Sequence, residues 1–227
     1  MFGIPVLGIA HDFLLTLADA LAPLLGTGSV AGAVVLFTAC VRLAIVPLGY
    51  AQARAEVVRA RLAPQARRIQ DKHKKDPQRA ARELSALYKQ AGTSMFAGIL
   101  PALAGMPFLF LTYRLFSGDR TLLANTLFGA PLGLHPLDGL AGPHALVLVG
   151  LLASLAAVAF VQYRKAAATP DAPALVRWLP FGTVVTALFV PLAAGVYLLT
   201  STAWTTAERP LLRRLAGSRD GRVVPGH

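Results

Sequence analysis

Arg42 is the residue whose type and setting most demand a chemical account. It lies inside the apolar run Ala31–Tyr50 (AGAVVLFTACVRLAIVPLGY), and the next cation, Arg54, stands twelve residues on. That separation is about 18 Å along a helix. A charge near the middle of a bilayer costs about 2.5–3.5 kcal/mol on insertion scales, so Arg42 needs water. Thr38 sits one turn earlier on the same face. Pro47 has no N–H to offer the carbonyl of Leu43, which adds exposed polar backbone. These residues predict a wet cavity around a fixed cation, whose chemistry is attraction for a carboxylate rather than bond making. Gln162, Thr200, Ser201 and Thr205 are the other polar candidates. They either line that cavity or make the interhelical hydrogen bonds that membrane Ser and Thr commonly make. Tyr197 and Trp204 are candidates for contact with a bound chain, although Trp204, near the cytoplasmic end, better suits an interfacial belt.

Conventional catalysis and metal chemistry find little support. The five histidines (His11, His73, His135, His144, His227) are scattered without ligand spacing, and the single cysteine, Cys40, allows no internal disulfide. His144 has no nucleophile–base partner at recognisable spacing. The sequence therefore reads as a non-enzyme with no catalytic residue, no cofactor and no metal.

The elements that must position these residues follow from composition. The 227 residues are 55% hydrophobic and 15% charged, a balance shifted from soluble domains towards membrane proteins. Mean hydropathy is +0.57. His11–Leu25 separates His11, Asp12, Thr16 and Asp19 from Phe13, Leu14, Leu17, Leu21 and Leu24, as in a short amphipathic helix lying in the interface. Gly26–Ser29 breaks it, and a first span follows at 30–50. Ala51–Gln90 holds eleven Lys/Arg against four acids. Leu62, Ala66 and Ile69, then Leu84, Leu87 and Tyr88, recur at helical spacing on either side of Asp76-Pro77, an N-cap followed by a first helical residue. This is a basic helical hairpin.

No charge occurs between Lys89 and Arg114, giving a second span at 95–113 that Pro101 and Pro107 should kink. Ser117–Gly142 reads as a Gly/Pro-rich loop, and 146–163 as a third span. Thirty uncharged residues then separate Arg177 from Glu208. Basic segments flank that run on both sides, so by the positive-inside rule it crosses an even number of times. A break near Val190-Pro191 gives short fourth and fifth spans at 175–189 and 191–207. Spans this short predict local bilayer thinning. The expected architecture is all-α and polytopic, with five transmembrane helices. An extracytoplasmic segment 1–27, a core 28–212 including the cytoplasmic hairpin 51–90, and a basic cytoplasmic tail 213–227 divide the chain.

Function classes separate on the same residues. An ion- or solute-coupled transporter usually carries intramembrane acids or inverted repeats, and the five proposed cores contain no acid. A structural membrane subunit would use Arg42 as an interhelical anchor. The basic hairpin satisfies the positive-inside rule and suits anionic lipid headgroups at about 1 kcal/mol per cation. The Arg-rich tail is a minor candidate for ribosomal RNA phosphate, and nothing points to DNA.

Motif order then adds a resemblance. Thr38-Ala39-Cys40-Val41-Arg42 with Pro47-Leu48, Leu62-Ala63-Pro64-Gln65, Ile69-Gln70, Lys74-Lys75-Asp76-Pro77 and Ala86-Leu87-Tyr88-Lys89 appear in sequence. Leu100-Pro101, Met106-Pro107, Leu111-Thr112-Tyr113-Arg114, and Pro191 with Tyr197 and Ser201 follow. In order and spacing, residues 28 to 212 resemble the YidC/Oxa/Alb family of membrane-protein insertases, in a short bacterial form without the large extracytoplasmic domain. Gly105, Ser94-Met95 and Leu198 depart from the family pattern. The resemblance implies a hydrophilic groove in the inner leaflet, centred on Arg42. Its substrate-binding residues would be Arg42, Thr38, Gln162, Tyr197 and Ser201. It further implies a bacterial plasma membrane location with the N-terminus outside and the C-terminus cytoplasmic. The implied partners are nascent membrane proteins, with the ribosome, signal recognition machinery and Sec translocon as further contacts.

Overall fold

The computed structural model describes residues 3–92, 123–168 and 174–220. The span expected at 95–113, the prolines within it, and the motif ending at Arg114 lie outside the described residues, as does the end of the tail. The chain divides into two compact units: residues 1–44 with 108–206, and residues 45–107 with 207–227.

The first unit opens with α1 (Gly3–Leu25), a 3-10 turn at Gly26–Gly28, and α2 (Ser29–Ala44). α1 starts earlier than the expected His11 because nothing in GIPVLGIA breaks a helix; Pro5 falls in the first turn, where no N–H is needed. Gly26 reverses the chain with φ +53. The two helices run antiparallel, so that the Phe13 and Phe37 rings meet at 6.1 Å. Ala10, Leu14 and Ala18, one turn apart on α1, are buried together with Val30, Ala33, Val34 and Phe37 of α2.

The described part of the Gly/Pro-rich loop is ordered and is the one departure from an all-helical fold among the described residues. β1 (Thr126–Leu127) pairs antiparallel with β2 (Ala130–Pro131), and α5 (Pro136–Gly139) forms one turn. Ala130, Leu132 and Pro136 are buried, because small and apolar side chains let the loop tuck into the core.

Four further helices are described: α6 (Ala145–Ala167), α7 (Ala174–Trp178), α8 (Phe181–Phe189) and α9 (Leu192–Asp220). Between α8 and α9, Val190 is extended (φ −108, ψ 154) and Pro191 follows it, so the thirty-residue apolar run is not one helix. The loop completes the start of α9, because the carbonyls of Leu134 and Leu132 accept from the N–H groups of Leu192 and Ala193, each at 2.9 Å. Two donors that a helix N-terminus leaves orphaned are thereby satisfied. Gly195 admits Leu151 of α6 to the backbone of α9; a Cβ there would lie 2.6 Å from Leu151 Cδ2.

α6 is apolar all round yet buries only Leu148, Leu151, Leu155 and Ala159, a single stripe. Leu146, Val149, Phe160 and Val161 are exposed. A soluble protein buries such a helix on every side; a lipid-embedded one need not. Gly8–Ala44 and Ala145–Ala167 are the two described segments long and apolar enough to cross a membrane. Exposed Ser154 and Thr186 hydroxyls donate to their own helices at Gly150 and Gly182. That is how a hydroxyl is satisfied where water is absent.

The second unit holds α3 (Val46–Lys72), α4 (Pro77–Gln90) and the end of α9. Asp76 Oδ1 accepts from the Arg79 N–H at 3.0 Å, capping α4. His73 Nε2 meets Glu83 Oε1 at 3.0 Å across the turn. Residues 213–220 continue α9 instead of forming a separate tail: Leu212 and Ala216, one turn apart, are buried. Arg213 donates to Glu56 Oε2 through both Nε (2.9 Å) and Nη2 (2.6 Å).

Candidate functional site

α2 ends at Ala44, and Ile45 leaves the helical region at φ −95, ψ 3 before α3 begins with Pro47 in its first turn. The expected span 30–50 is therefore two helices. Pro47 starts the second one and does not interrupt the first, since proline is tolerated where no N–H partner is needed. This moves Arg42 into the last turn of α2. A cation in the last turn of a helix is favoured by the negative end of the helix dipole.

Arg42 is half-buried, and its Nη2 donates to the Ser201 hydroxyl of α9. Ser201 is itself buried. Thr38, one turn before Arg42, is buried, and its hydroxyl donates to Val34 O at 2.6 Å. Tyr197, one turn before Ser201, is buried within the apolar cluster of this unit. One turn after Ser201, Thr205 donates to the Ser201 carbonyl at 2.9 Å. Arg42 and Ser201 are thus directly joined, with Thr38 and Tyr197 one turn away along their respective helices.

Gln162 belongs to a different contact. Its Nε2 donates to Thr206 Oγ1 at 2.7 Å, and Lys165 Nζ donates to Thr206 O at 2.9 Å. Thr206 is five residues from Ser201, about 140° around the helix at 100° per residue. Gln162 therefore ties α6 to α9 on a face well away from Ser201. Thr206 and Lys165 are contacts that sequence reasoning missed. The signal was Pro210: without an N–H, it leaves the carbonyl of residue 206 unbonded inside α9, and Lys165 fills that place. Thr200 donates to Val196 O at 2.9 Å, so its proton is used within its own helix. Trp204 Nε1 is buried without a partner.

Polarity changes along α9 within this unit. Residues 191–197 are all buried, and those with side chains are apolar except for the Tyr197 hydroxyl; Thr200 to Thr206 carries five hydroxyls. Apolar closure lies at the end covered by the β1–β2 loop, and polar groups, including Arg42, lie towards the other. This arrangement can hold a guanidinium in a polar setting and offer it to an anionic or polar group.

Residues 21–218 match the family described as 60Kd inner membrane protein. The chain belongs to that family. The matched range contains Thr38, Arg42, Gln162, Tyr197 and Ser201. Among relatives, the Membrane protein insertase YidC of Streptomyces avermitilis is 34% identical over 112 residues, covering 43% of this chain and 26% of that protein. The protein of the same name from Clostridium perfringens is 36% identical over 83 residues, 37% of this chain and 35% of its own length. ALBINO3-like protein 1, chloroplastic, of Arabidopsis thaliana is 26% identical over 218 residues, 83% of this chain and 44% of that protein. The chain thus spans less than half the length of these relatives.

Proposed function

We propose that this chain is a membrane-protein insertase core, which moves segments of nascent membrane proteins from the cytoplasm into the bilayer. The observation that carries the reading is the Arg42–Ser201 pair on the hydroxyl-bearing half of α9, with apolar closure at the other end of the unit. The names of the relatives support it. On this reading a hydrophilic groove in the inner leaflet opens to the cytoplasm and to lipid. Arg42 attracts a carboxylate or polar N-terminal segment of the client, at a place where the attraction is less screened than in water. Ser201 holds the guanidinium and yields it. The apolar part of the client then passes into lipid, where burial of about 20 apolar residues drives the step. No covalent intermediate is involved.

The five-span topology with the N-terminus outside, the bacterial plasma membrane location and bilayer thinning beside the short helices belong to the same proposal. So do ribosome, signal recognition and Sec contacts, and anionic lipid at the basic hairpin. The deciding experiment is site-specific crosslinking from position 42 to a ribosome-stalled nascent membrane protein. A client adduct that vanishes when the stalled chain lacks its membrane segment is expected; adducts to lipid and to neighbouring helices alone would overturn the reading.

A purely structural role for Arg42 has one observation of its own: the group is already hydrogen-bonded between helices. It predicts that Arg42→Ala and Ser201→Ala destabilise the protein equally and affect all clients alike.

A further inference from the structure

The β1–β2 hairpin turns on Phe128 and Gly129, both at positive φ (+50 and +82). Two-residue turns of this kind favour Asn-Gly, because a bulky side chain at positive φ is strained. Phe128 is also 84% exposed, so it gains nothing from the protein core to offset that strain. β1 lies against the Gly26–Gly28 turn, and the residues leading into that turn, Leu24 and Leu25, are 80% and 49% exposed. The β1–β2 turn and the last turn of α1 thus present apolar side chains at one end of the first unit. No charged residue occurs between 20 and 34 or between 121 and 134. Leu146, at the start of the apolar helix α6, is exposed as well.

We infer that Phe128, Leu24 and Leu25 form a lipid-seated tip, which enters the acyl boundary of the leaflet on the Gly26–Gly28 side. Seating a side chain of this size in an apolar medium offsets the cost of its positive φ. The lack of charge fits the hydrocarbon boundary, not an anionic headgroup layer and not a polar protein surface. The tip would hold the loop down over the N-terminus of α9, where Leu132 and Leu134 supply their carbonyls. This inference needs the chain to lie in a membrane; it does not need the insertase reading.

Nitroxide depth measurement on the full chain in phosphatidylcholine proteoliposomes tests it. Cys40 is first replaced by Ala, and a label is placed at F128C, at L24C or at D138C, the last an exposed charged position of the same loop. At 128 and 24, collision with oxygen should exceed collision with a water-soluble nickel chelate, and at 138 the order should reverse. Position 24 carries the test if F128C does not fold. Nickel accessibility at 128 and 24 equal to that at 138 overturns the inference. Protection from both reagents also overturns it, since that would mean a protein surface covers the tip. Failure of the unlabelled chain to insert clients while the depth reading stands would count against the insertase proposal alone.

Discussion

A guanidinium bonded to a buried serine differs from one adrift in hydrocarbon, and substitution can tell what the bond does. Ser201→Ala removes this one acceptor of the Arg42 guanidinium. A hydrogen bond to a charged group is worth about 1.5–3 kcal/mol in soluble proteins, whereas interhelical bonds in membranes average about 0.6. A loss of about 1 kcal/mol in thermal or denaturant unfolding in bicelles is expected. Arg42→Ala should reduce insertion of clients with acidic N-terminal tails, read by protease protection in proteoliposomes, and Arg42→Lys should retain more activity than Ala. Equal loss for Lys and Ala would mean that guanidinium geometry matters and charge does not. Thr206→Val, on the far side of α9, should lower stability by a similar amount and leave insertion intact.

At the scale of elements, two local features make their own predictions. Pro210 leaves Thr206 O without its helical donor, and Lys165 Nζ supplies one at 2.9 Å. Pro210→Ala would restore the N–H, so Lys165→Ala should cost less in that background than in the original. A double-mutant cycle should read a coupling of about 1 kcal/mol, as for groups sharing one partner. Asp76→Ala removes the cap of α4 and should cost about 0.5–2 kcal/mol, seen as faster amide exchange confined to the first turn of α4. The Arg213–Glu56 pair is half exposed or more on the arginine side, so its contribution is small, about 0.2–1 kcal/mol. Burial of Leu212 and Ala216 is the larger reason that the end of α9 is a packed helix.

For the whole molecule, the exposed face of α6 is the sharpest test of its surroundings. Ala157 lies near the middle of α6 and is exposed. In water, Ala157→Lys would change stability within about 0.5 kcal/mol. Facing lipid, it should cost about 2.5–3.5 kcal/mol of insertion free energy, measured by glycosylation-mapped insertion of the helix.

Much of this was legible in residue types. The basic hairpin with its Asp76 cap, the apolar run at 146–163 and the stop at Val190-Pro191 rest on periodicity, proline and charge, which act over a few residues. Arg42 and Ser201 were legible as polar groups in apolar runs, because such groups are costly without a role. Their partnership was not, since a bond between residues 42 and 201 depends on how two distant helices face each other. The same limit hid the Gln162–Thr206 hydrogen bond and the end of α2 at Ala44, where Pro47 begins a new helix. The tail read as a string of arginines because charge dominated its composition, while Leu212 and Ala216 needed a surface to bury against. Sequence therefore determined which segments are apolar, where the chain must turn and which cation needs solvation, all of them local transfer and backbone energies. Tertiary structure decided which hydroxyl meets the cation and which loop closes the unit, because those follow from packing between segments far apart in the chain.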